Sequence, residues 1–225
     1  MSIKKKPLQS TFKWIAFAII LAISIRILFI GVYKVPTITM APTLISGDYI
    51  LSNKLAYGLK WPWMQSGFFV SSPNHGDIVV FKRLDRPQVQ FVKRVVGLPG
   101  DKVMIKQGEL YINSQKCEYT IDETYQSENF QILFEECLGQ KRRILKATSG
   151  ELKSKDIDLT ELKENEVYVL GDNRDTSEDS RDWGPVQLDQ VSSKVFSIWL
   201  SWSSTQDSIF KEKGFRFSRF LTMIQ

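Results

Sequence analysis

The chain has 225 residues, 43% of them hydrophobic, which is enough for one domain with a buried core and a small appendage. Its single histidine, His75, and its two cysteines, Cys117 and Cys137, cannot supply a four-ligand zinc site or a two-histidine metalloprotease motif. A Ser-His-Asp triad would depend on His75 alone, so acid–base chemistry near neutral pH falls mostly to carboxylates or to a lysine with a shifted pKa. The formal charge of +5 is too small to indicate nucleic-acid binding.

The N-terminal region joins a basic segment, residues 1–13, to an apolar stretch, residues 14–33, whose one charged residue is Arg26. At 1.5 Å per residue this stretch spans about 30 Å, the thickness of a hydrocarbon core. We therefore expect a transmembrane anchor with a cytoplasmic basic N-terminus, in which Arg26 snorkels toward the outer interface. The alternative is a cleaved secretory signal, but no small-residue cleavage site follows Tyr33.

The region after the anchor predicts a mainly β fold. Short β-branched and aromatic runs separated by turn signals are typical of strands, and no helix-period stretch is convincing. The predicted strands are 49–51, 78–81, 90–96, 166–170 and 195–200. The segment 107–164 is polar and charged, with only weak strands, and we interpret it as an inserted non-catalytic β subdomain. It would divide the catalytic β domain into 35–106 and 165–225.

Two segments near the anchor have unusual composition. Residues 36–44, PTITMAPTL, contain two prolines and three threonines, which make a stiff strand whose hydroxyls need partners if they are buried. A rigid linker is the plain alternative for this segment. The aromatic-rich stretch at 61–69 has two equally weighted interpretations, a surface that enters the membrane interface and ordinary core packing.

The strand at 90–96 places a lysine on an apolar face. Alternation puts Lys93 on the same side as Phe91 and Val95, where a charged amine is costly. Desolvation and the neighbouring charge of Arg94 would lower the pKa of Lys93 and make it a general base. An edge lysine that snorkels to solvent is the alternative.

Cys117 and Cys137 both lie in the predicted insertion. In an oxidising compartment a disulfide between them would close a loop of about twenty residues and stabilise the fold. Two unpaired thiols are the alternative, and we favour the disulfide.

The segment 171–184, GDNRDTSEDSRDWG, interleaves charges of both signs at high density. A solvated loop can have this composition, but it also suits a hydrogen-bonded network that positions a reacting group.

Together, the segments 36–44, 91–101 and 171–184 resemble the type I signal peptidases (leader peptidases), which are membrane-anchored proteases with a Ser-Lys dyad. The resemblance is closest to Gram-negative bacterial members and covers nearly the whole chain from the anchor onward. It extends to 54–60, KLAYGLK, to 75–82, HGDIVVFK, and to 198–202, IWLSW.

The resemblance implies an antiparallel β-sheet catalytic domain of signal-peptidase type and assigns a role to each matching residue. Lys93 would be the general base, Ser177 would orient its amine, and the Thr37 hydroxyl would help form an oxyanion hole. The supporting residues would be Asp179 and Arg181, as an ion pair, with Asp172, Arg174 and Asp175, which hold the loop in place. No metal or cofactor is implied, and His75 would have no catalytic role.

At the nucleophile position the chain departs from the family, because Thr39 stands where a serine is expected. The hydroxyl is kept, but the extra methyl restricts χ1 and crowds the attacking oxygen. One outcome is a working enzyme with an adapted pocket. The other is a weak or inactive homologue that acts as a membrane-anchored binding or accessory protein. We favour activity, because Lys93, Ser177 and the 171–184 loop are all present.

The implied substrates are the signal peptides of exported pre-proteins, bound as an added strand and cut after a small residue. The other expected partner is a lipid bilayer, and nucleic acid is not expected. We expect a monomeric, single-pass protein of the bacterial inner (cytoplasmic) membrane, with its N-terminus in the cytoplasm and its catalytic domain in the periplasm. A self-cleaving Ser-Lys regulator of the repressor type is disfavoured, since the N-terminus reads as a membrane span and not as a DNA-binding part.

Overall fold

The computed structural model describes residues 8–58, 71–127, 129–148, 155–203 and 213–224. The aromatic stretch at 61–69, with both interpretations of it, lies outside these residues. The helices and strands in chain order are α1 (Leu8–Phe29), β1 (Ile30–Lys34), β2 (Asp48–Asn53), β3 (Ile78–Arg83), β4 (Arg86–Gly97), β5 (Lys102–Lys106), β6 (Glu109–Ile112), β7 (Gln115–Lys116), β8 (Glu118–Gln126), β9 (Phe130–Cys137), β10 (Gln140–Ala147), β11 (Ile157–Glu161), β12 (Glu166–Leu170), α2 (Ser180–Trp183), β13 (Val186–Gln187), β14 (Val191–Ser203), β15 (Gly214–Phe215) and β16 (Thr222–Met223).

The described strands form antiparallel sheets, as the mainly β prediction required. The largest sheet has the order β1-β2-β14-β3-β4-β12-β13, and β15 and β16 add to β14. The hairpin β3–β4 lies inside this sheet, with Val79 opposite Lys93 and Ile78 opposite Arg94. The strand that carries the predicted base is therefore paired along both edges and held rigidly.

Two smaller sheets occupy most of the predicted insertion. One has the order β11-β5-β6-β7 and the other the order β10-β9-β8. A disulfide joins Cys117, between β7 and β8, to Cys137 at the end of β9, so it ties the two small sheets together. The same cysteines and Glu135 form the one grouping of possible metal ligands in the described chain, but both sulfur atoms are in the disulfide.

The buried core follows the sheets. Val96, Val103, Leu110 and Tyr168 belong to one apolar cluster, which joins β4 and β12 of the large sheet to β5 and β6. A second cluster packs β2, β3 and β14 against the segment after β1. The segment 36–44 is consequently covered on one side by core residues and is not a free linker.

The N-terminal helix ends at Phe29, four residues before the end of the apolar stretch 14–33, and the chain continues directly as β1. β1 pairs with β2 from Ile30 to Lys34, and its glycine and β-branched residues favour an extended chain over a helix. Over the described residues, no helix combines the length and the apolar character that a membrane crossing requires.

Candidate active site

A cleft of about 400 Å³ lies between the segment that follows β1 and the strand β4. It brings together the hydroxyls and the lysine singled out in the sequence, because Thr37, Thr39 and Lys93 all line it. Glu178, from the loop after β12, also lines it. The remaining lining residues are mostly apolar: Val32, Tyr33, Lys34, Val35, Pro36, Met40, Val89, Gln90, Phe91 and Val92.

Lys93 is buried, with 3% of its surface exposed, and its Nζ donates a hydrogen bond of 2.8 Å to the Ser177 Oγ. Burial lowers the pKa of Lys93 from 10.5 to about 8, an effect partly offset by Asp179 and reinforced by the charge of Arg181. The sequence predicted that the positive charge of Arg94 would help to lower the pKa of Lys93, but in the structure Arg181 supplies that charge. Strand alternation turns Arg94 to the opposite face from Lys93, where Asp172 pairs with it.

Ser177 reaches Lys93 because the chain at Gly171 has no side chain. A Cβ at this position would lie 2.1 Å from the Ser177 Oγ and 2.6 Å from the Thr39 carbonyl oxygen, both closer than real contacts allow. Glycine at 171 therefore lets the loop, the segment of Thr39 and the hydroxyl of Ser177 approach one another.

The two predicted hydroxyls lie side by side, with 3.2 Å between the Thr37 Oγ1 and the Thr39 Oγ1. In the described part of the chain no hydrogen bond joins Thr39 to Lys93, although both line the cleft. Hydrogen bonds of catalytic groups are often long or absent before substrate binds. The arrangement thus supplies an amine of lowered pKa and two hydroxyls within one cleft.

Asn173 holds the chain at Thr39 and was not identified from the sequence. Its Nδ2 donates to the Ile38 carbonyl at 3.2 Å, and its backbone N–H donates to the Thr39 carbonyl at 3.1 Å. Asn173 is fully buried, so these bonds are shielded from water. It lies in the 171–184 loop, but the sequence offered no sign that this loop contacts residues more than a hundred positions earlier.

Asp179 and Arg181 form the ion pair that the sequence predicted, with 2.8 Å between the Arg181 Nε and the Asp179 Oδ1. Asp179 also caps α2 and accepts the Gly171 N–H at 2.9 Å. The Arg181 Nη2 donates to the Arg174 carbonyl at 2.6 Å. The pair therefore ties the start of α2 back to the loop at Gly171 and Arg174, so that the segment carrying Ser177 is held at both ends.

The other end of the loop is fixed by two buried ion pairs. Arg94 donates to both carboxylate oxygens of Asp172, at 2.8 and 2.7 Å, and the Thr43 hydroxyl donates to the same carboxylate at 2.5 Å. Arg174 pairs with Glu135 of β9. A planar guanidinium on a carboxylate restricts orientation as well as distance.

Glu135 links the predicted insertion to the site. It accepts hydrogen bonds from Arg174 at 2.7 Å and from the Arg142 Nε at 2.9 Å. Burial raises the pKa of Glu135, but the charges of Arg142 and Arg174 outweigh it and hold the pKa well below its usual range. The loop is further joined to β10, because the Ala147 N–H donates to Asp175 at 2.6 Å. The described residues of the 107–164 segment thus do not line the cleft, but they support the loop that does.

Residues 8–202 match the family model described as signal peptidase, peptidase S26. The chain belongs to this family. Relatives named signal peptidase I include those of Pseudomonas aeruginosa, 30% identical over 89% of this chain and 75% of the relative, and Rickettsia conorii, 34% identical over 83% and 77%. That of Rickettsia prowazekii is 35% identical over 87% and 81%. These matches confirm the resemblance to Gram-negative members.

A solved structure of a signal peptidase I from Enterococcus faecalis is 26% identical to the chain, covers 55% of it and 97% of its own length, and has a TM-score of 0.36.

Membership of the peptidase S26 family indicates which chemical groups to look for in the cleft. A peptidase needs a nucleophile, a base and donors for an oxyanion, and the residues that line this cleft include candidates for each.

Proposed function

We propose that this member of the signal peptidase family removes signal peptides from exported pre-proteins, with Thr39 as nucleophile and Lys93 as general base. The observation that carries the proposal is the buried amine of Lys93. It donates to Ser177, has a pKa lowered to about 8, and lines the same cleft as the hydroxyls of Thr37 and Thr39. An amine with this pKa is about one-tenth neutral at pH 7, which leaves a usable fraction of base.

The neutral Nζ of Lys93 takes the hydroxyl proton of Thr39 as the Oγ1 bonds to the scissile carbonyl carbon. The carbonyl π electrons move to its oxygen, and that oxyanion accepts hydrogen bonds from the Thr37 hydroxyl and from a backbone N–H, which we assign to Thr39. The Lys93 ammonium then gives its proton to the leaving amine as the C–N bond breaks. Water, deprotonated by Lys93, hydrolyses the acyl-enzyme ester and returns the threonine.

Ser177 acts by orienting Lys93. Its hydroxyl oxygen accepts one of the amine protons at 2.8 Å, so the lone pair of the neutral amine is left to face the cleft. Asp179 and Arg181 hold the loop behind it, while Asp172 and Arg174 hold its other end.

The alternative is a weak or inactive homologue that binds signal peptides without cutting them. One observation favours it: the Thr39 hydroxyl faces Thr37 and makes no hydrogen bond with Lys93 among the described residues. The β-methyl of threonine restricts χ1, so the rotation that would bring the Oγ1 to Lys93 is harder than in serine. The active peptidase and the inactive binding protein therefore differ only in whether Thr39 can act as the nucleophile.

The test is cleavage of a pre-protein by the full chain in detergent micelles. We expect wild-type cleavage, loss of cleavage in Thr39→Ala and in Lys93→Ala, and retention or increase in Thr39→Ser. Absence of cleavage by the wild type, with cleavage gained in Thr39→Ser, would establish the binding-protein alternative. Full activity of Lys93→Ala would refute the dyad.

We also propose that the apolar stretch 14–33, most of which lies in α1, anchors the chain in the bacterial inner membrane, with the catalytic domain on the periplasmic side. Support comes from the apolar side chains that α1 exposes, including Phe12, Trp14 and Ile20, each more than half exposed. Such a face needs a covering, and lipid provides one. Retention in membranes after alkaline carbonate extraction, and release when α1 is removed, test this placement. The catalytic domain, 35–106 with 165–225, would act as a monomer without a cofactor.

A further inference from the structure

A second cleft, of about 550 Å³, lies where α1 meets β1 and the N-terminal half of β4. We call it the junction cleft. Its lining residues are Ile23, Arg26, Ile30, Gly31, Val32, Tyr33, Lys54 and Gln90. Val32, Tyr33 and Gln90 also line the cleft that contains Thr39 and Lys93. The two clefts therefore adjoin, since these three residues line both.

The junction cleft combines apolar walls with positive charge. Ile23, Ile30 and Val32 give it apolar surface, and Arg26 and Lys54 are the charged side chains among its described lining residues. Such a lining suits a ligand that is apolar along its length and carries negative charge or unpaired acceptor oxygens at one point.

The substrate class of the proposed function has this pattern. A signal peptide carries an apolar region of about 7–15 residues just before its small-residue cleavage site. If that region is helical, its last four carbonyl groups have no partner within the helix and form the negative end of the helix dipole. The chain must then become extended to enter a strand-like cleft at the scissile bond.

We infer that the junction cleft binds the end of the substrate's apolar segment, with the carbonyl groups at its C-terminal end facing Arg26 and Lys54. This inference rests on the proposed function and names an additional binding region for it. Because the junction cleft adjoins the catalytic cleft, the part of the substrate next to the cleavage site would lie there, and the two cations complement its helix end. Binding in the junction cleft would thus position the substrate so that the bond to be cut, just after the apolar segment, lies at Thr39.

Steady-state kinetics on two substrates test the inference, with full-length protein in detergent micelles. One substrate is a whole pre-protein, and the other is a short peptide that spans the cleavage site but lacks the apolar segment. The double variant Arg26→Gln, Lys54→Gln should raise KM for the pre-protein about three- to thirty-fold, since each cation near a helix end contributes about 1.7- to 5-fold. Turnover of the short peptide should not change. Lys82→Gln removes an exposed lysine that lines neither cleft and is the matched control.

An equal loss on both substrates, or no loss on either, would overturn the inference. If the wild type cuts neither substrate, the proposed function fails and binding must be measured directly. For this, a benzophenone amino acid in place of Ile23, in a Thr39→Ala background, should crosslink to the apolar segment of a bound pre-protein. A crosslink to lipid alone would overturn the inference and assign the junction cleft to a lipid headgroup.

Discussion

Replacement of Lys93 by methionine should destroy activity and stabilise the protein. The side chain is 3% exposed, and burial lowers its pKa from 10.5 to about 8. At about 1.36 kcal/mol per pKa unit, the lowering of this pKa corresponds to about 3 kcal/mol of destabilisation by the charged amine. Methionine has a similar length and no charge, so Lys93→Met removes this cost and leaves the volume filled.

The pH dependence separates this effect from a change in packing. The native pKa lies below the unfolded one, so the destabilisation is fully present below about pH 8. Between about pH 8 and 10.5 the unfolded chain still binds the proton that the native state has released, and wild-type stability rises with pH. Removal of the charged amine should raise the free energy of unfolding by about 3 kcal/mol at pH 7, and loss of the hydrogen bond to Ser177 should lower it by about 1 kcal/mol. Lys93→Met should therefore be more stable than the wild type by about 2 kcal/mol at pH 7. By about pH 10.5 this advantage should have vanished.

Denaturant unfolding of the full chain in detergent at pH 7 and pH 10 measures the difference. Lys82→Met, at an exposed position of β3, serves as the control and should change little at either pH. A Lys93→Met variant that is no more stable than the wild type at pH 7, or whose advantage is the same at both values, would refute the argument that a buried charged amine strains the native state.

Two further variants examine the support of the site. Glu135→Gln leaves the buried guanidinium groups of Arg142 and Arg174 without their carboxylate and should lower the free energy of unfolding by about 3–5 kcal/mol. The control Glu136→Gln, at an exposed position, should not lower it. Equal effects of the two variants would contradict the role assigned to Glu135. Asn173→Ala removes the bond to the Ile38 carbonyl and should lower kcat by about 10²-fold through displacement of Thr39, with KM little changed. A kcat close to that of the wild type would show that Thr39 keeps its position without this contact.

Local patterns were sufficient to predict part of the site. Strand alternation placed Lys93 on an apolar face, and the structure buries it there opposite Val79. The ion pair of Asp179 and Arg181 was expected from the family resemblance, and its members lie two residues apart at the start of one short helix. These features depend on neighbours along the chain, which a sequence displays directly.

Contacts that join distant segments could not be predicted in the same way. Arg94 and Asp172 are 78 residues apart, and Arg174 and Glu135 are 39 residues apart, so their pairing depends on how the sheets assemble. For this reason the sequence assigned the lowered pKa of Lys93 partly to the adjacent Arg94. In the folded chain that guanidinium is neutralised on the other face of β4.

The distribution of these contacts shows how the 107–164 segment is connected to the candidate site. The loop from Gly171 supplies the partner of the base, Ser177, and through Asn173 it also holds the chain of Thr39. That loop is fixed near its start both to β4, where Arg94 pairs with Asp172, and to β9, where Glu135 pairs with Arg174. A displacement of β9 would therefore move Ser177, the partner of the proposed base, together with Asn173, which supports the proposed nucleophile Thr39. Activity should consequently be more sensitive to disruption of Glu135 than its distance from the cleft would suggest.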